Sequence, residues 1–257
     1  MYTEANGLSI AYHLGGEGEV VTLIHSLGLD LESWWLQVPV LEERFSVLRY
    51  DVRGHGRSGK PAGPYTLDQM AEDLYALLVT FGIPRTHVVG LSLGGMIAQT
   101  FALAHPEMVG SLVLCDTSSG YSAEEQAVFM QRAQVAETQG MEPLVQPTLE
   151  RWFTEPFRAA RPEVVARIAA TLRANDPGGY AATCRAIAEL ALTDRLGALR
   201  LPTLVVVGEE DPGTPPAMAR TIAKQIAGAR LEVIPHAAHL VPVEKPDVFN
   251  ALLLDFL

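Results

Sequence analysis

Gly90-Leu91-Ser92-Leu93-Gly94 is the segment of this chain whose residue types and spacing point most directly to chemistry. A sharp strand-to-helix turn crowds the positions two before and two after its central serine. Only hydrogen side chains fit there, and the turn lifts the hydroxyl clear of the backbone. A serine hydroxyl becomes a nucleophile when a base takes its proton, and the base in turn needs an orienting acid. Two polar turns downstream supply candidates: Glu209-Glu210-Asp211 after the apolar run 204–207, and Pro235-His236-Ala237-Ala238-His239 after the run 231–234. Among the acids Asp211 lies deepest in its turn, and the following Pro212-Gly213-Thr214-Pro215-Pro216 fixes the loop. Asp116, at the end of the strand after the nucleophile helix, is the alternative acid. His236 sits at a strand end, where a side chain usually serves the turn, whereas His239 lies far enough into the loop to reach Ser92. His13, His55, His87 and His105 are read as structural.

Acyl transfer also needs two backbone N–H donors for the developing oxyanion. Leu93, directly after the serine, is one. Leu27, in the loop His25-Ser26-Leu27-Gly28, is the other, with Gly28 allowing the sharp bend. The chemistry expected of this set is a two-step acyl transfer through Ser92, His239 and Asp211, which requires no cofactor and no metal.

These residues must be held by a regular framework. Asn6-Gly7 predicts a hairpin between strands near 2–5 and 8–14. Continuous apolar runs at 20–24, 46–50, 87–90, 112–115, 204–207 and 231–234 read as strands buried on both faces. Helical spacing at 67–81 and 96–104 lies between them, so the chain is expected to be α/β, with a mostly parallel central sheet flanked by helices. The alternation stops after Asp116. Residues 120–196 carry helical patterns at 123–139, 142–153, 162–174 and 180–190, punctuated by Gly140, Pro156 and Pro177-Gly178-Gly179. The expected organisation is one core, 1–119 with 197–257, and a helical cap (lid) of residues 120–196 inserted after the sixth core strand. Residues 247–257 predict a last helix packed on the sheet.

Apolar residues make up 48% of the 257 positions and charged residues 19%, a globular balance. The net charge of −11 disfavours nucleic acid and anionic membrane as partners, since both reward a basic face. An anionic substrate would need a local cation in its pocket. Cys115 and Cys184 are too few for a disulfide framework or a metal site. Met1-Tyr2-Thr3-Glu4 has neither a basic n-region nor an apolar h-region, so cytoplasmic residence is the expectation.

Together with Asp51-Val52-Arg53-Gly54-His55-Gly56-Arg57-Ser58, the segments around Ser26, Ser92, Asp211 and His239 resemble the α/β-hydrolase superfamily, over the whole core and in its order. Within it the chain is most similar to 3-oxoadipate enol-lactonases. That resemblance rests on Ser26-Leu27-Gly28 with Asp30 and Trp34, on Arg151-Trp152-Phe153-Thr154, on Gly179-Tyr180-Ala181-Ala182 with Cys184, and on Asp211-Pro212-Gly213-Thr214-Pro215-Pro216. It implies the α/β-hydrolase fold, a small carboxylate-bearing ester or lactone as substrate, and Ser26, Trp34, Arg151 and Trp152 as substrate-binding residues. Arg132, Arg158 and Arg173 are the other lid cations that could meet a carboxylate. The chain departs from those lactonases at His25, where they usually carry asparagine, and across 117–131, which lacks their Trp and Arg pattern. Rival readings are a general carboxylesterase, a cofactor-free perhydrolase, a carbon–carbon bond hydrolase on the same fold, and a hydrolase-like small-molecule receptor.

Overall fold

Asn6 and Gly7 adopt positive φ angles of 51° and 67°, the pair that a two-residue hairpin turn requires. They join β1 (Tyr2–Ala5) to β2 (Leu8–Gly15), with Ala5 opposite Leu8. The computed structural model describes all 257 residues. Beyond the hairpin run β3 (Val20–Ile24), β4 (Ser46–Tyr50), β5 (Thr86–Leu91), β6 (Val109–Cys115), β7 (Thr203–Gly208) and β8 (Arg230–Ile234). One sheet holds all eight in the order β1-β2-β4-β3-β5-β6-β7-β8. It is antiparallel where β2 meets β1 and β4, and parallel from β4 to β8.

The continuous apolar runs fold this way because both faces of the parallel strands are covered. Val88, Leu112, Leu114, Val205 and Val207 face one core, and Val89, Val113, Leu204 and Val206 face the other. The first core packs against α2 (Leu67–Thr80) and α3 (Leu93–Ala104), and the second against α1 (Val38–Leu41). Between β6 and β7 lie five inserted helices: α4 (Ala123–Gln139), α5 (Glu142–Trp152), α6 (Glu155–Ala160), α7 (Pro162–Arg173) and α8 (Pro177–Ala188). The ends of the insertion meet. Gly120 forms an isolated antiparallel bridge with Ala191, the Leu192 N–H donates to the Ser119 carbonyl at 2.7 Å, and the Ser119 and Thr193 hydroxyls lie 2.8 Å apart. After β7, α9 (Pro216–Gln225) joins the first core, while the short α10 (Val241–Glu244) and α11 (Pro246–Phe256) close the second. No helix is long and apolar enough to cross a membrane.

Two differences from the sequence reading have clear causes. Pro177-Gly178-Gly179 opens α8 rather than breaking the chain before it. Asp176 accepts the Gly179 N–H at 2.6 Å as N-cap, and proline is well suited to the first turn. The unexpected α6 is a single capped turn, with the Thr154 side chain accepting the Phe157 N–H.

One polar contact lies inside the wall. Arg53 and Asp73 are buried and make a two-pronged ion pair at 2.7 and 2.6 Å, and Asn6 Nδ2 donates to the same Asp73 carboxylate at 2.8 Å. Removing one partner strands the other as an uncompensated buried charge. Asp73→Ala should therefore lower unfolding stability by about 3–5 kcal/mol, read from chemical denaturation. A loss within about 1 kcal/mol would mean that water reaches the guanidinium.

Candidate active site

The elbow is built by close backbone approach. A Cβ on Gly90 would collide with the Gly94 carbonyl, and one on Gly94 would collide with the Ile24 carbonyl at the end of β3. Ser92 sits between them at φ 54° and ψ −111°, a strained conformation for a residue with a side chain. It is pinned there by its N–H to the Cys115 carbonyl (2.8 Å) and by the Thr117 hydroxyl donating to its own carbonyl (2.7 Å). The strain turns the Ser92 hydroxyl out of the sheet, at the N-terminus of α3.

The structure brings Ser92, His239 and Asp211 together. His239 Nε2 lies 3.0 Å from Ser92 Oγ, and its Nδ1 lies 2.8 Å from Asp211 Oδ2. Asp211 is further gripped by the Gly213 and Thr214 N–H groups on Oδ1 and by the Thr214 hydroxyl on Oδ2. Burial opposes ionisation of both partners, yet their mutual charge and hydrogen bond prevail. Asp211 is held below the ordinary carboxylate value and His239 above the ordinary histidine value of 6.5. A hydroxyl, an imidazole and a carboxylate joined in this order can move the hydroxyl proton to the ring and stabilise the resulting imidazolium.

The competing residues stand elsewhere. Glu209 and Glu210 are exposed, and His236 is 83% exposed, 3.7 Å from Glu210. Asp116 is buried beside the site, but its oxygens accept the Gly208 N–H (2.9 Å), the Val241 N–H (3.2 Å) and the Cys115 thiol (3.1 Å). Burial and then the Asp211 charge push its carboxyl up to about 8. It braces β6, β7 and the approach to α10.

Above Ser92 lies a cavity of about 190 Å³. Ser26, Leu27, Arg151 and Trp152 line it, and Trp152 stacks on His239 at 6.2 Å. Trp34 does not. It is fully buried in the second core and stacks on Phe249 of α11, so the substrate-binding role expected for it is incorrect. Its position in a resembling motif reflects packing of the 3₁₀ turn Leu31–Trp34 against the last helix. Of the other arginines, Arg132 also lines the cavity, whereas Arg158 does not and Arg173 pairs outside with Glu142 at 2.8 Å. Arg132 donates to the Tyr180 hydroxyl (2.7 Å) and Arg151 to the Thr148 hydroxyl (3.2 Å), both neutral acceptors. Burial and the Arg132 charge hold Arg151 below the ordinary arginine value.

Leu27 and Leu93 both have an N–H to offer. Leu93 opens α3, where a helix has no internal acceptor. The Leu27 N–H makes no hydrogen bond to the backbone. Burial keeps His25 neutral, lowering it to about 4; its Nδ1 meets the Ser26 carbonyl at 2.8 Å and its Nε2 accepts the Val52 N–H. The sequence reading missed Thr214, Tyr121 and Phe129 as parts of the site. Thr214 had a signal, since an Asp side chain at the start of a Pro/Gly-rich turn commonly accepts from the residues just after it. The aromatic pair Tyr121 and Phe129, at ring centroids 5.0 Å apart, had none beyond helical spacing.

A family model described as alpha/beta hydrolase fold matches residues 19–246. The chain is 34% identical to 3-oxoadipate enol-lactonase 2 of Acinetobacter baylyi, over 96% of this chain and 92% of that one. It is 30% identical to a putative carbamate hydrolase, RutD, of Azorhizobium caulinodans, over 99% and 97% of the two chains. The crystal structure of the enol-lactonase from Burkholderia xenovorans LB400 superposes with a TM-score of 0.96 at 36% identity, covering 100% of this chain and 99% of that one.

The elbow gives a direct test. Gly94→Ala should lose activity and destabilise the fold by about 2 kcal/mol or more, because the new methyl must displace the end of β3. Normal activity and melting temperature in that variant would mean that β3 and α3 are not in contact as described.

Proposed function

Because the chain belongs to the α/β-hydrolase family, we propose that it is a serine hydrolase that opens a small ester or lactone through an acyl-enzyme. The observation that carries this reading is the continuous contact from Ser92 through His239 to Asp211, facing a cavity. His239, oriented by Asp211, takes the Ser92 proton as Oγ attacks the carbonyl carbon. The N–H groups of Leu27 and Leu93 receive the oxyanion. Collapse expels the alcohol or enol with the proton from His239, and water repeats the cycle on the acyl-enzyme with His239 again as base. Residues 120–196 act as a lid whose helices supply the pocket roof.

The substrate class is a carboxylate-bearing ester or lactone of the enol-lactone type. Arg132 and Arg151 support it, because two guanidinium groups on neutral partners face one cavity whose lining includes a single carboxylate, Glu125, so the balance there is cationic. Arg132 stands first of the two: its Nε is buried with no acceptor and its guanidinium lies against the Phe129 and Tyr180 rings. Ser26 and Trp152 complete the substrate contacts, Ser26 with a buried hydroxyl that has no partner.

A fluorophosphonate should label Ser92 once per chain, and Ser92→Ala should cut kcat by about 10⁴-fold or more. Labelling at Ser26 or Ser118 would overturn the assignment. The pH dependence has a definite sign. The base works when neutral and its value is raised, so kcat/KM should rise with pH through a limb above 6.5. Asp211→Asn should shift that limb downwards and cut kcat steeply, while Asp116→Asn stays mild.

For the substrate class, p-nitrophenyl hemisuccinate and p-nitrophenyl butyrate differ by one carboxylate. Wild type should favour the hemisuccinate, and Arg132→Gln should reduce that preference by about tenfold or more, with Arg151→Gln having the smaller effect. If the butyrate is preferred by about tenfold and neither variant changes the ratio, the enzyme is a general carboxylesterase.

A further inference from the structure

The loop from Ser26 to Leu29 is held from two sides by parts of the chain far apart in sequence. On the core side, the Ser26 carbonyl accepts from the Leu29 N–H (3.1 Å) and meets Nδ1 of His25 (2.8 Å). A trans peptide points its N–H opposite to its C=O. Anchoring the Ser26 oxygen therefore aims the Leu27 N–H the other way. The bond from Leu29 also holds the Gly28–Leu29 peptide at its N–H end, beyond Gly28 at φ +77°, and leaves the Gly28 carbonyl at its other end to find a partner of its own.

The second anchor comes from the inserted helices. Asn175, buried between α7 and α8, donates from Nδ2 to the Gly28 carbonyl at 2.7 Å. The same nitrogen reaches the carbonyls of Thr171 (2.9 Å) and Leu172 (3.3 Å) at the end of α7. Three carbonyl oxygens around one position accept only a donor, so the orientation of the amide is determined by its surroundings. Gly28 is also in close contact with the insertion, since a Cβ there would lie 2.8 Å from Leu172 Cδ2.

We propose that Asn175 is a positioning residue for acyl transfer, holding the Gly28 carbonyl so that the Leu27 N–H stays aimed at the oxyanion. The inserted helices then form part of the oxyanion apparatus as well as the roof of the pocket. This rests on the reading of Leu27 as an oxyanion donor. The competing role is a structural one, in which Asn175 only caps α7 and fills space.

The two roles separate on transition-state against ground-state binding. Asn175→Ala and the isosteric Asn175→Asp, which sets carboxylate oxygen against the three carbonyls, are compared with wild type. The readouts are kcat and KM on p-nitrophenyl butyrate, melting temperature, and inhibition by an alkyl trifluoromethyl ketone and by succinate. The ketone reports the oxyanion: Ser92 Oγ adds to its carbonyl carbon, the π pair becomes the alkoxide, and the hydroxyl proton passes to His239. The expected result is a kcat lower by roughly 10- to 100-fold with KM within about threefold. Affinity for the ketone should fall in parallel with kcat/KM, while succinate binds as before. An unchanged kcat in Asn175→Ala, or equal weakening of ketone and succinate, overturns the proposal. If Asn175→Asp does not fold, Asn175→Ala decides alone. Ser92→Ala distinguishes the levels: if it remains active, the acyl-transfer reading itself fails. If it is inactive while Asn175→Ala keeps its kcat, only the role of Asn175 fails.

Discussion

The site depends on one close approach, that of the first turn of α3 to the end of β3. Where the Gly94 backbone meets the Ile24 carbonyl there is no room for a side chain. That contact forces the chain through Ser92 at a positive φ, and the strain is offset by the Ser92 N–H donating to the Cys115 carbonyl and by the Thr117 hydroxyl donating to the Ser92 carbonyl. It also sets the distance between the two loops that matter. Ile24 leads directly into His25-Ser26-Leu27-Gly28, and Gly94 belongs to the turn that carries Ser92 and Leu93. One van der Waals contact therefore places the hydroxyl and both free N–H groups on the same edge of the sheet.

The opposite side of the site is set by the ends of β7 and β8. Asp116 ties them together, accepting from Gly208 at the end of β7 and from Val241 beyond His239. Burial and the Asp211 charge raise its carboxyl, while the Gly208 N–H and the Cys115 thiol that donate to it act the other way. The inserted helices reach the same loop. Trp152 accepts the Leu240 N–H (3.1 Å), and the buried carboxylate of Glu244 takes both the Thr154 hydroxyl and the Ala238 N–H. The histidine loop is thus fastened to core and insertion alike.

Much of this was legible in the sequence because each element carried its own physical signature. Asn6-Gly7 specified a turn geometry, the apolar runs specified double-sided burial, and the two glycines around Ser92 specified an elbow. Asp211 and His239 could be singled out from their neighbours by depth in a turn. What remained hidden depends on contacts between distant segments. Trp34 sits in a stretch that resembles lactonases yet packs on Phe249, and no local pattern distinguishes a tryptophan facing a core from one facing a pocket. The sequence favours Arg151, which stands in the resembling stretch, and only the placement of Tyr180 and Phe129 brings Arg132 forward. Asn175 is an ordinary polar residue after a helix until its 147-residue separation from Gly28 closes in space.

The junction at Gly120 and Ala191 bears on how such a molecule can change over evolutionary time. The chain leaves and re-enters the core at adjoining points that are already hydrogen-bonded. Lengthening or replacing what lies between alters the loop-closure free energy only slowly, by about 0.6 kcal/mol for each doubling of length. Chain closure at this neck therefore constrains the length of the inserted segment only weakly, although its helices also share both hydrophobic cores with the sheet. The freedom has a limit. A foreign roof would also have to bring its own partners for the Gly28 carbonyl and for Glu244, or the loops it covers would lose their second anchor.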